Sequence, residues 1–210
     1  LPKSGTMTLA MALRRAGLNV IDWRIREAQT FREDLKDQLI APLMYEDYFG
    51  SGDPLARFDE FHAITEMSAI NGKINMWPQT DSGMLGAILK HHPGAKFLLS
   101  MRDPEAVAKS MMGWNNLGQV RLPRNDVPGL PRPYGGNVEN LTRWVNGHYD
   151  FCARFFRRSP NFLAYELEEK NVHHQISRFL RLELPWWGKA NMNIRQTDPS
   201  DMESDDHVET

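Results

Sequence analysis

The stretch Leu1-Pro2-Lys3-Ser4-Gly5-Thr6-Met7-Thr8-Leu9 decides how the chain is read. A basic residue, a small flexible turn and several hydroxyls run straight into an apolar-periodic segment. Leu9, Ala12, Leu13 and Ala16 recur at helical spacing, and Gly17 stops the run. The spacing predicts a loop feeding a helix from about Thr8 to Ala16. A helix N-terminus presents unpaired N–H groups and the positive end of the macrodipole. Gly5 lets the backbone approach a ligand closely. Lys3 adds a full charge, and Ser4, Thr6 and Thr8 add hydroxyl donors. This combination suits a phosphate or a similar oxyanion. A Ser/Gly/Thr helix cap beside a solvated lysine accounts for the same residues without a ligand.

The loop is not a Walker A motif. That pattern puts its Lys after the second Gly, whereas Lys3 precedes Gly5. In α/β nucleotide-binding folds the anion loop follows a buried strand. No strand sequence precedes Leu1 here, so the expectation is a chain lacking its first strand.

Working outward, 210 residues with 41% hydrophobic and 25% charged content suit one α/β domain with a sizeable core. The expected domain spans 1–195. The formal net charge of −2 gives no global basic field for nucleic acid. Cys152, the single cysteine, cannot close an intramolecular disulfide, and no zinc-type spacing occurs. No apolar run reaches membrane-spanning length. The expected setting is cytoplasmic, with no metal site.

Leu18–Asp22 reads as a short buried strand with Asp22 at its carboxyl end, where open α/β sheets place their ligands. Asp22 is equally a helix-capping residue. Arg26 to about Tyr48 is helical in pattern and broken by Pro42. Ala63–Met67 reads as a strand with Glu66 near its end, and Asn71-Gly72 as a turn. Asp81 caps a helix running to about His92, where His91 and His92 complement the dipole. Lys96–Met101 is the plainest strand. Residues 115–136 are rich in Pro, Gly, Asn and Arg, and carry no predicted element. A loop of that length suggests a lid. Asn137 to about Phe156 is an amphipathic helix, Phe162–Tyr165 a strand and Asn171–Leu182 a helix. The segment 196–210 is acidic and reads as disordered.

The strand Lys96–Met101 is followed by Arg102-Asp103-Pro104, and Ser110 lies eight residues after Arg102. An Arg at a strand's carboxyl end faces the ligand crevice and offers a rigid fork of donors for phosphate oxygens. A structural salt bridge for Arg102 and a packed Ser110 fit the same positions.

Taken in order, these segments resemble the sulfotransferase family. Pro2–Leu9 resembles its 5'-phosphosulfate loop, with Met7 where a second Thr is usual. Lys96–Ser110 resembles its 3'-phosphate motif, a strand ending in Arg with a Ser eight residues later. Leu163–Leu167 resembles its YEDL stretch, and Phe179–Leu182 followed by Pro185 its FLGL..P helix end. The family's glycine-rich end motif has only Gly188-Lys189 and Arg195 as faint counterparts.

The resemblance implies a three-layer α/β/α fold of P-loop type around a central parallel sheet. It implies 3'-phosphoadenosine 5'-phosphosulfate as donor, adenosine 3',5'-bisphosphate as product, and in-line sulfuryl transfer to a hydroxyl or amine of a small-molecule or glycan acceptor. Lys3, Ser4, Gly5, Thr6, Met7 and Thr8 would hold the 5'-phosphate end, with Lys3 on the leaving-group oxygens. Arg102 and Ser110 would hold the 3'-phosphate. The catalytic base would be Glu66, then Asp22, then His62; a capping or surface role is open for each. Trp77, Trp114 and Tyr134 are acceptor-pocket walls or core residues. A kinase-like phosphotransferase and a non-catalytic nucleotide-binding domain are the competing functions.

Overall fold

In a computed structural model that describes residues 1–188 and 190, the opening loop turns into helix α1, Thr6–Arg15. Ala10 and Ala12 are fully buried, so the helix lies close to its neighbours. Gly17, at φ 85°, turns the chain toward strand β1, Val20–Ile21. Helix α2, Ile40–Ser51, follows. Pro42 does not break it, because Pro42 falls in the first turn, where a missing N–H removes no intrahelical bond. Residues 26–39 instead form a short 3₁₀ turn and loop pinned by the wholly buried Leu35.

Strand β2, Ala63–Ile64, pairs parallel with β1. Strands β3, Ala69–Ile70, and β4, Asn75–Met76, form a hairpin across Asn71-Gly72. Helix α3, Ser82–His91, is capped by Asp81, whose Oδ1 accepts from the N–H groups of Gly83 and Met84 at 2.9 and 3.1 Å. Strand β5, Phe97–Met101, leads into helix α4, Pro104–Met112, with Asp103 as its cap. Helix α5, Val138–Phe155, returns the chain to strand β6, Phe162–Glu166, which pairs parallel with β5 along five residues. Helix α6, Val172–Leu180, ends the regular structure.

Alternation along the strands divides the core. Phe97, Leu99 and Met101 pack with Leu85 of α3, Cys152 of α5 and Phe156 just past its end. Leu98, Leu163 and Tyr165 pack with Leu9 and Leu13 of α1 and Ile176 of α6. Val20 joins the α1 side, and Ile21 joins Ile40, Met44, Met84 and Ile88 of α2 and α3. Helices thus cover the strands from two sides, as a period-2 pattern with both faces apolar requires.

The chain is mixed α/β with parallel pairs. One central sheet was expected; the described strands instead form three two-stranded sheets. Between the β1–β2 and β5–β6 pairs runs the opening loop with α1. Leu9 and Leu13 pack on Val20 and Leu98, and Ser4 O accepts from Ser100 Oγ at 2.6 Å.

The expected lid is packed. Residues 117–121 make a π-helical turn, and Leu117, Leu122, Val127 and Leu130 are buried against Val107, Leu141 and Trp144. These four apolar residues, spaced irregularly between polar ones, outweigh the loop-like composition around them. The acidic segment 196–210, Lys189 and Arg195 lie outside the described residues. Among the described residues no helix is long and apolar enough to cross a membrane.

Candidate anion-binding site

Gly5 caps α1 at φ 96°, a conformation that side-chain-bearing residues rarely adopt. A Cβ there would also collide with the Leu167 side chain, which lies directly over the loop. Lys3 has a positive φ of 65° as well, so the backbone of the loop is held in a tight, strained turn. The helix start is two residues earlier than its apolar periodicity implies. Its cap has no side-chain hydrogen bond, and the first intrahelical N–H bond is Leu9 to Gly5 O at 3.2 Å. The N–H groups of Thr6, Met7 and Thr8 therefore open the helix as donors. The Ser4 hydroxyl does not join them: it is buried and donates to Leu1 O at 2.7 Å. Thr6 and Met7 are half-buried, and Thr8 is buried.

Strand β5 brings the second half of the site to this loop. Ser100 Oγ donates to Ser4 O, and one residue beyond the strand Arg102 Nη1 donates to Lys3 O at 3.4 Å. The Arg102 backbone N–H donates to the Tyr149 hydroxyl of α5 at 3.2 Å. Arg102 Nη2 meets Glu168 Oε1 at 3.3 Å, and Nε is buried with no acceptor among the described residues. Two residues 99 apart in sequence thus place like charges side by side. The Lys3 ammonium lies 3.8 Å from the Trp114 ring centroid, a cation–π contact. Burial, and then repulsion from Arg102, lowers the Lys3 pKa below the usual lysine range. A bound anion would relieve both the repulsion and the unsatisfied Nε.

Other predicted residues are not drawn into this group. Ser110 sits half-buried on α4, six residues past Pro104 and so about 9 Å along the helix axis; no hydrogen bond joins it to Arg102 among the described residues. Asp22 has a structural role. It is 3% exposed, and Arg26 Nη1 lies 3.0 Å from both its oxygens while Arg14 Nη2 lies 3.4 Å from Oδ2. Its carboxylate is needed to neutralise that cluster. His62 precedes β2, at the opposite end from Glu66, and its Nδ1 accepts from the Asn19 N–H at 3.0 Å. Glu66 follows the carboxyl end of β2, half-buried, with Oε1 held by the Ser68 N–H and hydroxyl at 3.1 and 2.6 Å.

Trp77 is core, 1% exposed and edge-on to Trp144. Tyr134 is exposed and lines a groove of about 590 Å³ with Pro131, Trp144 and His148. Of the loop arginines, Arg121 donates to Ile70 O and Arg132 pairs with Asp126. His92 pairs with Asp53 at 2.8 Å.

Ser100, Tyr149 and Glu168 carry no assigned role in the sequence, and Leu167 enters there only through the resemblance of Leu163–Leu167. Ser100 is a lone hydroxyl in an apolar strand, which hints at a polar neighbour. Tyr149 and Glu168 carry no local signal. No protein-family model matches the chain, and neither curated proteins nor solved structures include a significant match.

Proposed function

We propose that this chain is a sulfotransferase of P-loop architecture that binds 3'-phosphoadenosine 5'-phosphosulfate and serves a hydroxyl or amine acceptor. The observation that carries this reading is the meeting of Lys3 and Arg102 beside the start of α1, whose cap makes no side-chain hydrogen bond. Two cations from distant segments, close to the N–H donors that open α1, fit a ligand with two anionic ends. The strand–Arg102–Ser110 spacing adds the 3'-phosphate motif, and the helices on both sides of the parallel pairs suit the three-layer fold.

The residues present fit the donor. The N–H groups of Thr6, Met7 and Thr8 would hold the 5'-phosphate, and the unsatisfied Arg102 Nε would gain a phosphate acceptor. Arg102, with Ser110 on α4, would hold the 3'-phosphate. When bound, the donor supplies an activated sulfuryl group whose departure leaves charge on the 5'-phosphate. Lys3 neutralises that charge, the kind of positioned electrostatic help that dominates such transfers. Glu66, at the carboxyl end of β2, would take the proton of an acceptor hydroxyl. Asp22 is set aside as base because its ion pairs with Arg14 and Arg26 occupy it.

Calorimetry with adenosine 3',5'-bisphosphate tests the reading. Binding to wild type, weakened at least tenfold in Arg102→Ala, is expected. No bisphosphate binding together with tight ATP–magnesium binding would make the chain a phosphotransferase. With a competent acceptor, Glu66→Gln should retain donor affinity and lose about 10²-fold in turnover; an unchanged rate removes Glu66 from the mechanism.

A further inference from the structure

The Arg102–Glu168 pair invites a role beyond stability. The side chain of Glu168 is 77% exposed and that of Arg102 25% exposed. One carboxylate oxygen meets one guanidinium nitrogen at 3.3 Å, so the contact is not the bidentate fork that makes such pairs strong. Arg102 Nε stays buried without an acceptor among the described residues. The guanidinium is therefore half-satisfied. The chain carrying Glu168 is nevertheless anchored: Leu167 N–H donates to Met101 O at 2.8 Å, and the Leu167 side chain presses on Gly5. This anchor keeps an exposed carboxylate next to the arginine that the anion needs.

We propose that Glu168 is an internal counter-anion for Arg102: it occupies the guanidinium in the empty site, yields to a phosphate, and returns as the product departs. The inference rests on the reading of Lys3 and Arg102 as an anion site. The energetics suit an exchange. An exposed, monodentate pair is weak, so a phosphate with several acceptor oxygens displaces it readily. The displaced carboxylate returns to water at little cost because it is already mostly hydrated. The same competition lowers affinity for a 3'-phosphorylated product and so favours its release, a step that often limits turnover. A nucleotide with a 3'-hydroxyl does not contest Arg102, and its binding is indifferent to Glu168. Glu168 thus sets how strongly the site holds one class of nucleotide relative to the other.

The test is calorimetry of wild type, Glu168→Gln and Glu169→Gln with adenosine 3',5'-bisphosphate and with adenosine 5'-monophosphate. Glu169 is an exposed neighbour, so its change removes the same charge without touching Arg102. The expectation is that Glu168→Gln tightens bisphosphate binding about two- to fivefold, leaves monophosphate binding unchanged, and is not reproduced by Glu169→Gln. Equal bisphosphate affinity in wild type and Glu168→Gln would overturn the proposal while leaving the anion site standing. A parallel gain for monophosphate, or for Glu169→Gln, would also overturn it, since a general field effect would then suffice. A wild-type chain that binds neither nucleotide overturns the anion site itself.

Discussion

Gly5 is the residue on which the site is most sharply defined. Its φ of 96° and the Leu167 side chain over its missing Cβ act together. An Ala there must adopt a costly left-handed backbone and also push Leu167 away, and Leu167 is hydrogen-bonded to the end of β5. Gly5→Ala is expected to destabilise the chain by about 1–3 kcal/mol and to weaken bisphosphate binding at least tenfold. Chemical denaturation and calorimetry check the two effects. A variant with wild-type affinity would show that the loop backbone does not contact the ligand. Lys3 was legible from the sequence as a charge beside a turn. Its 3.8 Å contact with Trp114 was not, because Trp114 lies 111 residues away and only the folded chain brings it near.

At the scale of the element, α5 holds a buried histidine. His148 is 8% exposed, and its Nε2 lies 3.6 Å from Cys152 Sγ one turn on. Burial pushes the His148 pKa down to about 3 and the Cys152 thiol up to about 11. The folded state therefore keeps His148 neutral, while the unfolded chain takes up a proton below the ordinary value of 6.5. Stability associated with His148 is complete above pH 6.5 and is lost as pH falls toward the folded value. The slope is at most about 1.4 kcal/mol per pH unit. His148→Gln should remove this component, so that the difference in unfolding free energy between wild type and variant changes between about pH 6.5 and 5. A difference independent of pH, measured by urea denaturation, would show that the imidazole is not held neutral. The helix itself was visible in the sequence from its apolar stripe of Leu141, Trp144, Val145 and Tyr149. That His148 falls inside rather than on the polar face was not, since neighbouring elements decide how wide the buried stripe is.

For the whole molecule, the central event is the junction of the opening loop with the end of β5. Arg102 lowers the Lys3 pKa across that junction, after burial. A bound anion adds opposite charge and raises it again. Binding of adenosine 3',5'-bisphosphate at a pH close to the lowered Lys3 pKa should therefore take up protons, and affinity should fall as pH rises through it. Calorimetry in two buffers of different ionisation enthalpy measures the uptake. Lys3→Arg, which does not titrate there, should bind without it. Uptake that persists in Lys3→Arg would assign the proton to another group.

Local chemistry written in consecutive residues was legible without the structure. The turn at Gly5, the cap at Asp81, the strand ending in Met101 and the amphipathic helix from Asn137 all depend on backbone preferences and short-range periodicity. The Pro42 break and the open loop at 115–136 failed for a matching reason. A proline's effect depends on which helical turn it occupies, and four scattered apolar residues become core only when another element covers them. Tertiary structure alone decided that Asp22 is consumed by Arg14 and Arg26, that the strands pair two by two, and that Lys3 and Arg102 share one place. Charges separated by 99 residues interact only through space, and their sum, two cations beside a helix N-terminus, exists in no single stretch of the chain.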